Sequence, residues 1–148
     1  MSNPVLALTV VTAVGSAAVG GLFYAFSTFV MRGLDRTEPA EAAVAMRGIN
    51  AEAQANAPFL VLFLGTGVLA LVLGVIAIIN RDGYLLAGAV LALLPTVITM
   101  AFNVPLNNRL EAGLDWASYL GPWTAWNHVR TVTGLLGGAL LVIAGTQR

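Results

Sequence analysis

The chain has 148 residues, of which 58% are hydrophobic and 9% are charged, whereas an ordinary soluble domain has roughly 25% charged residues. This composition excludes a typical soluble domain and indicates an integral membrane protein. Seven arginines balance seven acidic residues, so nucleic acid is not an expected partner, and the absence of cysteine excludes disulfides and thiolate metal sites.

Four apolar stretches are each long enough to cross a bilayer as a helix, which requires about 20 residues. They lie at residues 5–31, 58–79, 84–102 and 122–144. Because every backbone amide must be hydrogen-bonded within the hydrocarbon region, helices are the expected form. The sequence therefore predicts an all-α fold, a transmembrane four-helix bundle with up-down topology, in a single domain over residues 1–148.

The three connections between these stretches differ in length and polarity. The loop at residues 80–83 is short enough to force an antiparallel helical hairpin. Residues 38–56 are predicted to form an amphipathic helix with Pro39 in its first turn. Residues 107–121 are predicted to form a short interfacial segment, with Pro105 ending the third transmembrane helix.

Eleven of the fourteen charged residues fall on one side of the predicted bundle. Seven lie in the first connection, and four lie around the third connection and the start of the fourth stretch. If arginine counts alone decide the orientation, this side is cytoplasmic and both termini lie outside. The opposite orientation, with both termini inside, stays open because the first connection is also acidic. We expect a multi-pass protein of a bacterial cytoplasmic membrane.

The segment WTAWNHVRT at residues 123–131 carries the only histidine of the chain, beside an asparagine and an arginine. The apolar part after Arg130, residues 132–144, is too short to span a bilayer, so the fourth helix must include His128 and Arg130. Polar groups at membrane depth are costly and are therefore candidates for function. Two plainer readings stay open, since an arginine near a helix end can snorkel to the interface and a single histidine can be structural.

Further polar and aromatic side chains are expected at the same end of the bundle, where the topology brings separate segments together. They are Tyr24, Ser27, Arg47, Asn50, Phe102, Asn103, Asn107, Trp123 and Trp126. Some have plainer alternatives, because tryptophans are frequent in interfacial belts and asparagines beside a proline can cap freed backbone groups. Their convergence predicts a ligand site in one water-poor cavity, with His128 and Arg130 both facing inward.

Four patches carry a family resemblance: GLFYAFS at residues 21–27 with Met31, MRGIN at 46–50, FNVPLN at 102–107, and WTAWNHVRT at 123–131. Together they resemble the anthrone oxygenase-like family of small four-helix membrane proteins, over nearly the whole chain. Arg47 stands where the family pattern has glutamine, and the segment before Trp123 is shorter than in that pattern.

Named members of that family convert anthrones to anthraquinones in aromatic polyketide biosynthesis. The resemblance therefore implies a membrane oxygenase that acts on a lipophilic, flat aromatic substrate with dioxygen. The chemistry it implies is a base-assisted oxidation to a quinone that requires no cofactor, because an anthrone that has lost a proton can pass an electron to dioxygen directly.

The resemblance also suggests roles for individual residues. His128 is the candidate general base, because a base needs hydrogen-bond reach to the reacting proton and a pKa near the working pH. Arg130 and Asn127 are candidates to stabilise the enolate oxygen, together with Asn103 or Asn107. The aromatic side chains expected to sandwich the substrate rings are Tyr24, Phe102 and Trp126.

Other ligands and functions remain as alternatives. One histidine without cysteine is a poor ligand set for zinc or non-haem iron, so no metal site is predicted. Haem is an alternative cofactor, because His128 with Met31, Met46 or Met100 would form an axial pair. A non-catalytic protein that binds a quinone or another lipophilic ligand, or an accessory subunit, is the other function class, and the glycines in residues 134–138 would permit close helix contacts, including those of a homo-oligomer.

Overall fold

A computed structural model describes residues 1–147, which are helical apart from short connections and contain no strand. The helices are α1, Asn3–Leu34; α2, Pro39–Ala55; α3, Ala57–Asn80; α4, Gly83–Glu111; and α5, Trp116–Thr146. All except α2 are long and apolar enough to cross a membrane. The predicted all-α fold with four membrane-spanning helices is confirmed, and so is the predicted helix between the first two.

Side-chain caps explain where the central helices begin. Asn56 has extended backbone geometry, which ends α2, and its Oδ1 accepts a hydrogen bond from the Phe59 amide at the start of α3. Asp82 caps α4 in the same way, through a bond from the Leu85 amide. Between α3 and α4, Arg81 adopts a left-handed conformation with φ of 55°. The chain therefore reverses direction within two residues.

Helix α4 is longer than predicted, and the prediction that Pro105 ends it is wrong. The helix passes through a π-helical turn at Thr99–Asn103 and continues as a regular helix to Glu111. Proline removes one backbone donor and crowds the preceding turn of a helix, and a wider π-helical turn is a common way to absorb such a defect. The connection to α5 is consequently only residues 112–115.

Small residues let the long helices approach closely. The Ser16 hydroxyl on α1 donates to the carbonyl of Gly134 on α5 over 2.8 Å. A Cβ added to Gly137 of α5 would lie 2.6 Å from the backbone nitrogen of Ala92 on α4. Helix α5 therefore packs directly against both α1 and α4, which is typical of glycine-rich interfaces between membrane helices.

Helix α2 packs across one end of the bundle through a cluster of buried side chains. The cluster comprises Met31, Ala42, Ala43, Met46, Leu110, Trp116, Tyr119 and Trp123. Trp116 also donates its indole N–H to Asp35 over 2.9 Å, which ties the start of α5 to the end of α1. Because Trp123 is only 4% exposed, it belongs to this cluster and not to an interfacial belt.

Two π-helical turns lie beside the polar part of α5. One is Phe26–Val30 in α1 and the other is Thr99–Asn103 in α4. Ser27 in the first turn accepts a hydrogen bond from Asn127, and Thr99 in the second accepts one from Arg130. π-Helical turns occur frequently at functional sites, and here both turns supply partners for α5 side chains.

Candidate functional site

A cavity with a volume of about 890 Å³ lies where α2 covers the ends of the long helices. Its walls are mainly hydrophobic, with four phenylalanines among them: Phe23, Phe26, Phe59 and Phe63. Phe59 and Phe63 stack with ring centroids 5.6 Å apart, and Phe23 meets the edge of Phe63 at 5.9 Å. Small-molecule sites typically have volumes of about 300–1,000 Å³ and mostly apolar walls, so this cavity is suited to an apolar small molecule.

Arg130 is a buried charged residue that lines this cavity. It is 3% exposed, so the prediction that its side chain faces inward matches its position. Its guanidinium donates to Thr99 Oγ1 over 3.0 Å and to Asn127 Oδ1 over 2.8 Å, and its Nε has no hydrogen-bond partner within residues 1–147. The guanidinium carbon lies 4.0 Å from the ring centroid of Phe23 and 5.1 Å from that of Trp123.

Asn127 holds the arginine, and both N–H donors of its amide are used within the protein. Its Nδ2 donates to the Phe23 carbonyl over 2.8 Å and to Ser27 Oγ over 2.7 Å, and its Oδ1 accepts from Arg130. The side chain is fully buried and does not line the cavity. Asn127 therefore positions Arg130, and the structure does not place it against a substrate.

His128 does not share the cavity with Arg130, which corrects the prediction that both side chains face one chamber. The imidazole is exposed and lines a separate, shallower pocket of about 370 Å³, together with Arg32 and Asp35. Its Nδ1 lies 2.9 Å from Ser27 Oγ. The histidine is linked to the arginine through Ser27 and Asn127, and it does not line the large cavity.

Asn107 is a predicted site residue that lines the same cavity as Arg130. Its Oδ1 accepts two hydrogen bonds, from Tyr119 Oη over 2.8 Å and from Trp123 Nε1 over 2.9 Å. Asn103 is fully buried and does not line the cavity; its Nδ2 donates to the Trp123 carbonyl over 3.2 Å. Of the two asparagines flanking Pro105, only Asn107 is placed to contact a ligand.

The two predicted site residues on α2 have different surroundings. Asn50 lines the cavity, and its Nδ2 is buried without a hydrogen-bond partner of good geometry within residues 1–147. Arg47 instead reaches the carbonyl of Leu110 over 3.5 Å and does not line the cavity. The position where this chain departs from the family pattern therefore contacts the end of α4 and not a ligand.

The predicted ring-stacking residues do not line the cavity. Tyr24 is 55% exposed, and Phe102 stacks on Trp126 with ring centroids 3.6 Å apart, on the outside of the cavity. The aromatic walls come instead from residues that the sequence analysis missed, above all Phe59 and Phe63. Their spacing of four residues, directly after the capping Asn56, was the available signal for a shared helix face.

Candidate metal and haem ligands are dispersed. Within the described chain no group of three His, Cys, Asp or Glu side chains is arranged to hold a metal ion. Met31 and Met46 are buried in the cluster that anchors α2, whereas Met100 is 60% exposed. Of the three, only Met31 lines the same pocket as His128.

Comparison with known proteins gives one match. A family model described as anthrone oxygenase matches residues 46–140, which is more than half of the chain and includes Asn50, Asn107 and Arg130. No curated protein and no solved structure matches. The matched region contains most of the cavity wall, and the chain belongs to the anthrone oxygenase family.

Proposed function

We propose that this protein is a membrane oxygenase that oxidises flat aromatic, anthrone-type substrates to quinones with dioxygen. The family match supports an oxygenase-like function. The size and the phenylalanine walls of the cavity support the substrate class. An apolar substrate and dioxygen both partition into a bilayer, so a cavity at the end of a membrane bundle is a suitable place for them to meet.

The observation that carries this proposal is the buried cation at the cavity wall. The hydrogen-bond partners of Arg130 are a hydroxyl and an amide, both neutral, so these partners do not compensate its charge. In a water-poor site such a charge stabilises a developing oxyanion far more than it would in water. Arg130 is therefore suited to bind the oxygen of an anthrone as that oxygen becomes an enolate.

The proposed reaction proceeds from this enolate. Loss of a proton from the methylene carbon gives the enolate, which passes one electron to dioxygen. The resulting carbon radical combines with superoxide, and the peroxide takes up a proton. Loss of water then leaves a carbonyl at the former methylene carbon, so one dioxygen is consumed for each quinone and each water formed. No step requires a cofactor.

The proton that leaves the substrate has a route to solvent. Glu52, Gln54 and Asn56 also line the cavity, at the end of α2 and the start of α3, where they provide a polar mouth. In the proposed mechanism the proton passes to water at this mouth, and Arg130 provides the stabilisation that makes its loss favourable. His128 has no role as a base in this scheme, because it lies in the other pocket.

The experiment is to follow oxygen uptake and quinone formation from a simple anthrone by the purified protein in detergent. We expect equal amounts of dioxygen consumed and quinone formed, at a rate well above that in protein-free micelles. Arg130→Gln should lose most of this excess, whereas Arg109→Gln, an exposed arginine that does not line the cavity, should retain it. A rate equal to that of protein-free micelles would contradict the proposal.

The same cavity supports a second candidate function, the binding of a quinone or another lipophilic ligand without turnover. Its mainly apolar walls favour retention of such a ligand whether or not chemistry follows. Dioxygen consumption distinguishes the two functions. A bound ligand should quench the tryptophan fluorescence of the protein in both cases, but a protein that only binds the ligand consumes no dioxygen.

A further inference from the structure

The orientation of the Asn107 amide is fixed by its neighbours. An indole N–H is a donor only, so the amide atom facing Trp123 Nε1 at 2.9 Å must be the oxygen. The hydroxyl of Tyr119 donates to the same oxygen over 2.8 Å. The amide nitrogen therefore points away from both rings, and within residues 1–147 it has no acceptor.

Asn107 and Arg130 both line the cavity, and both contact Trp123. The guanidinium carbon of Arg130 lies 5.1 Å from the Trp123 ring centroid, and Trp123 Nε1 donates to Asn107. A guanidinium has five N–H donors, of which the structure uses one toward Thr99 and one toward Asn127. Neither a guanidinium nor an amide nitrogen accepts hydrogen bonds, so the free N–H groups of Arg130 and Asn107 can only donate to a ligand.

We infer that Asn107 Nδ2 and Arg130 together bind a single oxygen of the ligand, and that this donor pair makes the cavity bind an ionised aromatic ligand in preference to its neutral form. A neutral phenol or enol has to place its own hydrogen away from the donors, whereas an oxyanion accepts from both and is attracted by the charge. The inference rests on the proposed function, because it assumes that the cavity holds the oxygenated aromatic ring. It extends that function by making binding itself the step that favours loss of the proton.

Tyr119 and Trp123 are positioning residues in this arrangement. They touch Asn107 and hold its amide in one orientation, while their own polar atoms face the asparagine and not the ligand. Removing the Tyr119 hydroxyl should weaken the selectivity for the ionised ligand, because the amide becomes freer to turn. Affinity for the neutral ligand should be nearly unchanged, since the aromatic walls remain.

The test uses a hydroxyanthraquinone, a stable aromatic whose visible absorption changes when a phenol group ionises. Tryptophan fluorescence reports its binding to the protein in detergent, and an absorbance titration gives the pH at the midpoint of its ionisation, free in micelles and bound. We expect the bound midpoint to lie at least one pH unit below the free midpoint, which is a tenfold change in the ionisation constant. Asn107→Asp should move the midpoint back to the free value or above it, because a carboxylate replaces the donor.

Three further variants keep the test decisive. Asn108→Asp introduces the same charge at the next residue, which is exposed and does not line the cavity, and should keep the wild-type midpoint. Asn107→Ser removes the amide without adding charge and should give an intermediate midpoint if Asn107→Asp fails to fold. Tyr119→Phe should lose part of the shift and keep its affinity at low pH, where the ligand is neutral.

The outcomes separate this inference from the proposed function. Binding with an unshifted midpoint, or equal midpoints in Asn107→Asp and Asn108→Asp, would overturn the donor pair and leave the oxygenase proposal standing. Failure of any aromatic ligand to bind would overturn both.

Discussion

The guanidinium of Arg130 lies over the ring of Phe23, with its central carbon 4.0 Å from the ring centroid. A cation over an aromatic face gains about 0.5–2 kcal/mol, more where water is excluded. This attraction offsets part of the cost of burying the charge, and Thr99 and Asn127 satisfy two of its donors. The bundle thus holds a cation without using a carboxylate among these contacts, which leaves the positive charge available to a ligand.

Replacing Arg130 with lysine separates charge from geometry. Lysine keeps the positive charge but cannot form the planar fork that reaches both Thr99 and Asn127 while stacking on a ring. Loss of one oxyanion donor typically reduces kcat by about 10²–10³-fold. We therefore expect kcat for quinone formation to fall by about that factor in Arg130→Gln. In Arg130→Lys, kcat should lie between the values of Arg130→Gln and the wild type. Equal rates for both variants would show that the charge contributes nothing.

His128→Ala should retain most of the activity. A general base contributes about 10²–10⁴-fold to a rate, so a smaller loss is expected if the histidine acts only through its contact with Ser27. We expect kcat to fall by less than about tenfold, because the imidazole lies in the other pocket. A fall in kcat of about 10²–10⁴-fold, in a protein that still binds the ligand, would indicate that His128 is the general base.

The placement of His128 shows a limit of reading polar segments in membrane helices. Residues two apart on a helix do not face each other, whereas residues three apart do. Arg130 therefore shares a face with Asn127 and not with His128. The shared face of Asn127 and Arg130 can be predicted from their spacing, and the inward direction of Arg130 follows from the short apolar remainder of α5. The prediction that His128 and Arg130 face one chamber did not take into account the angle between these two positions around the helix axis.

The rotation of each other helix about its own axis, which decides the side that faces the cavity, was harder to infer. In a soluble helix the polar side marks the solvent, but here the lipid-facing and the buried sides are both apolar. The sequence alone therefore did not distinguish Phe23, which lines the cavity, from the adjacent Tyr24, which is exposed. The π-helical turns of α1 and α4 add a further change of rotation. The number and approximate length of the helices depend on composition and could be predicted from the sequence. The identity of the residues that line the cavity depends on the rotation of each helix about its axis and could not be predicted.

Gly48 offers a way to close the cavity from α2. It lines the cavity and is exposed, and a Cβ at this position would meet nothing within 4 Å. Gly48→Trp should therefore fold, and its indole should occupy the space of a ligand and raise KM for the anthrone. Gly48→Ala should leave KM unchanged, and Gly33→Trp is a matched control at an open position outside the cavity. Unchanged KM in Gly48→Trp would indicate that the ligand binds elsewhere.

Asp115 makes the start of α5 sensitive to acid. Its Oδ1 accepts from the Ser118 amide over 2.9 Å, and bonds from the side chain and backbone of Ser118 hold the pKa of this carboxyl below its ordinary value of 3.8. The capping contribution is therefore present above pH 3.8 and is lost as the pH falls through the lower folded-state pKa. After division by the intrinsic exchange rate at each pH, the amide protection factors in the first turn of α5 should fall with acid in the wild type and not in Asp115→Asn, which keeps an uncharged cap. Equal acid dependence in both proteins would contradict this assignment.

Gly137 tests whether the close approach of α4 and α5 supports the bundle. A Cβ on Gly137 would lie 2.6 Å from the backbone nitrogen of Ala92 and 2.9 Å from its Cα. Backbone atoms cannot move aside as a flexible side chain can, so the helices must separate. Overpacking of this kind typically costs about 1–3 kcal/mol.

Gly137→Ala should therefore lower the thermal unfolding midpoint in detergent, while Gly65→Ala should leave it equal or higher. Gly65 is half-buried, but there is open space around its Cβ position, and alanine favours a helix over glycine by about 0.5–1 kcal/mol. Because α5 carries Arg130 and α4 carries its partner Thr99, separation of the two helices should also reduce turnover. A Gly137→Ala protein with wild-type midpoint and activity would show that this contact tolerates a wider spacing.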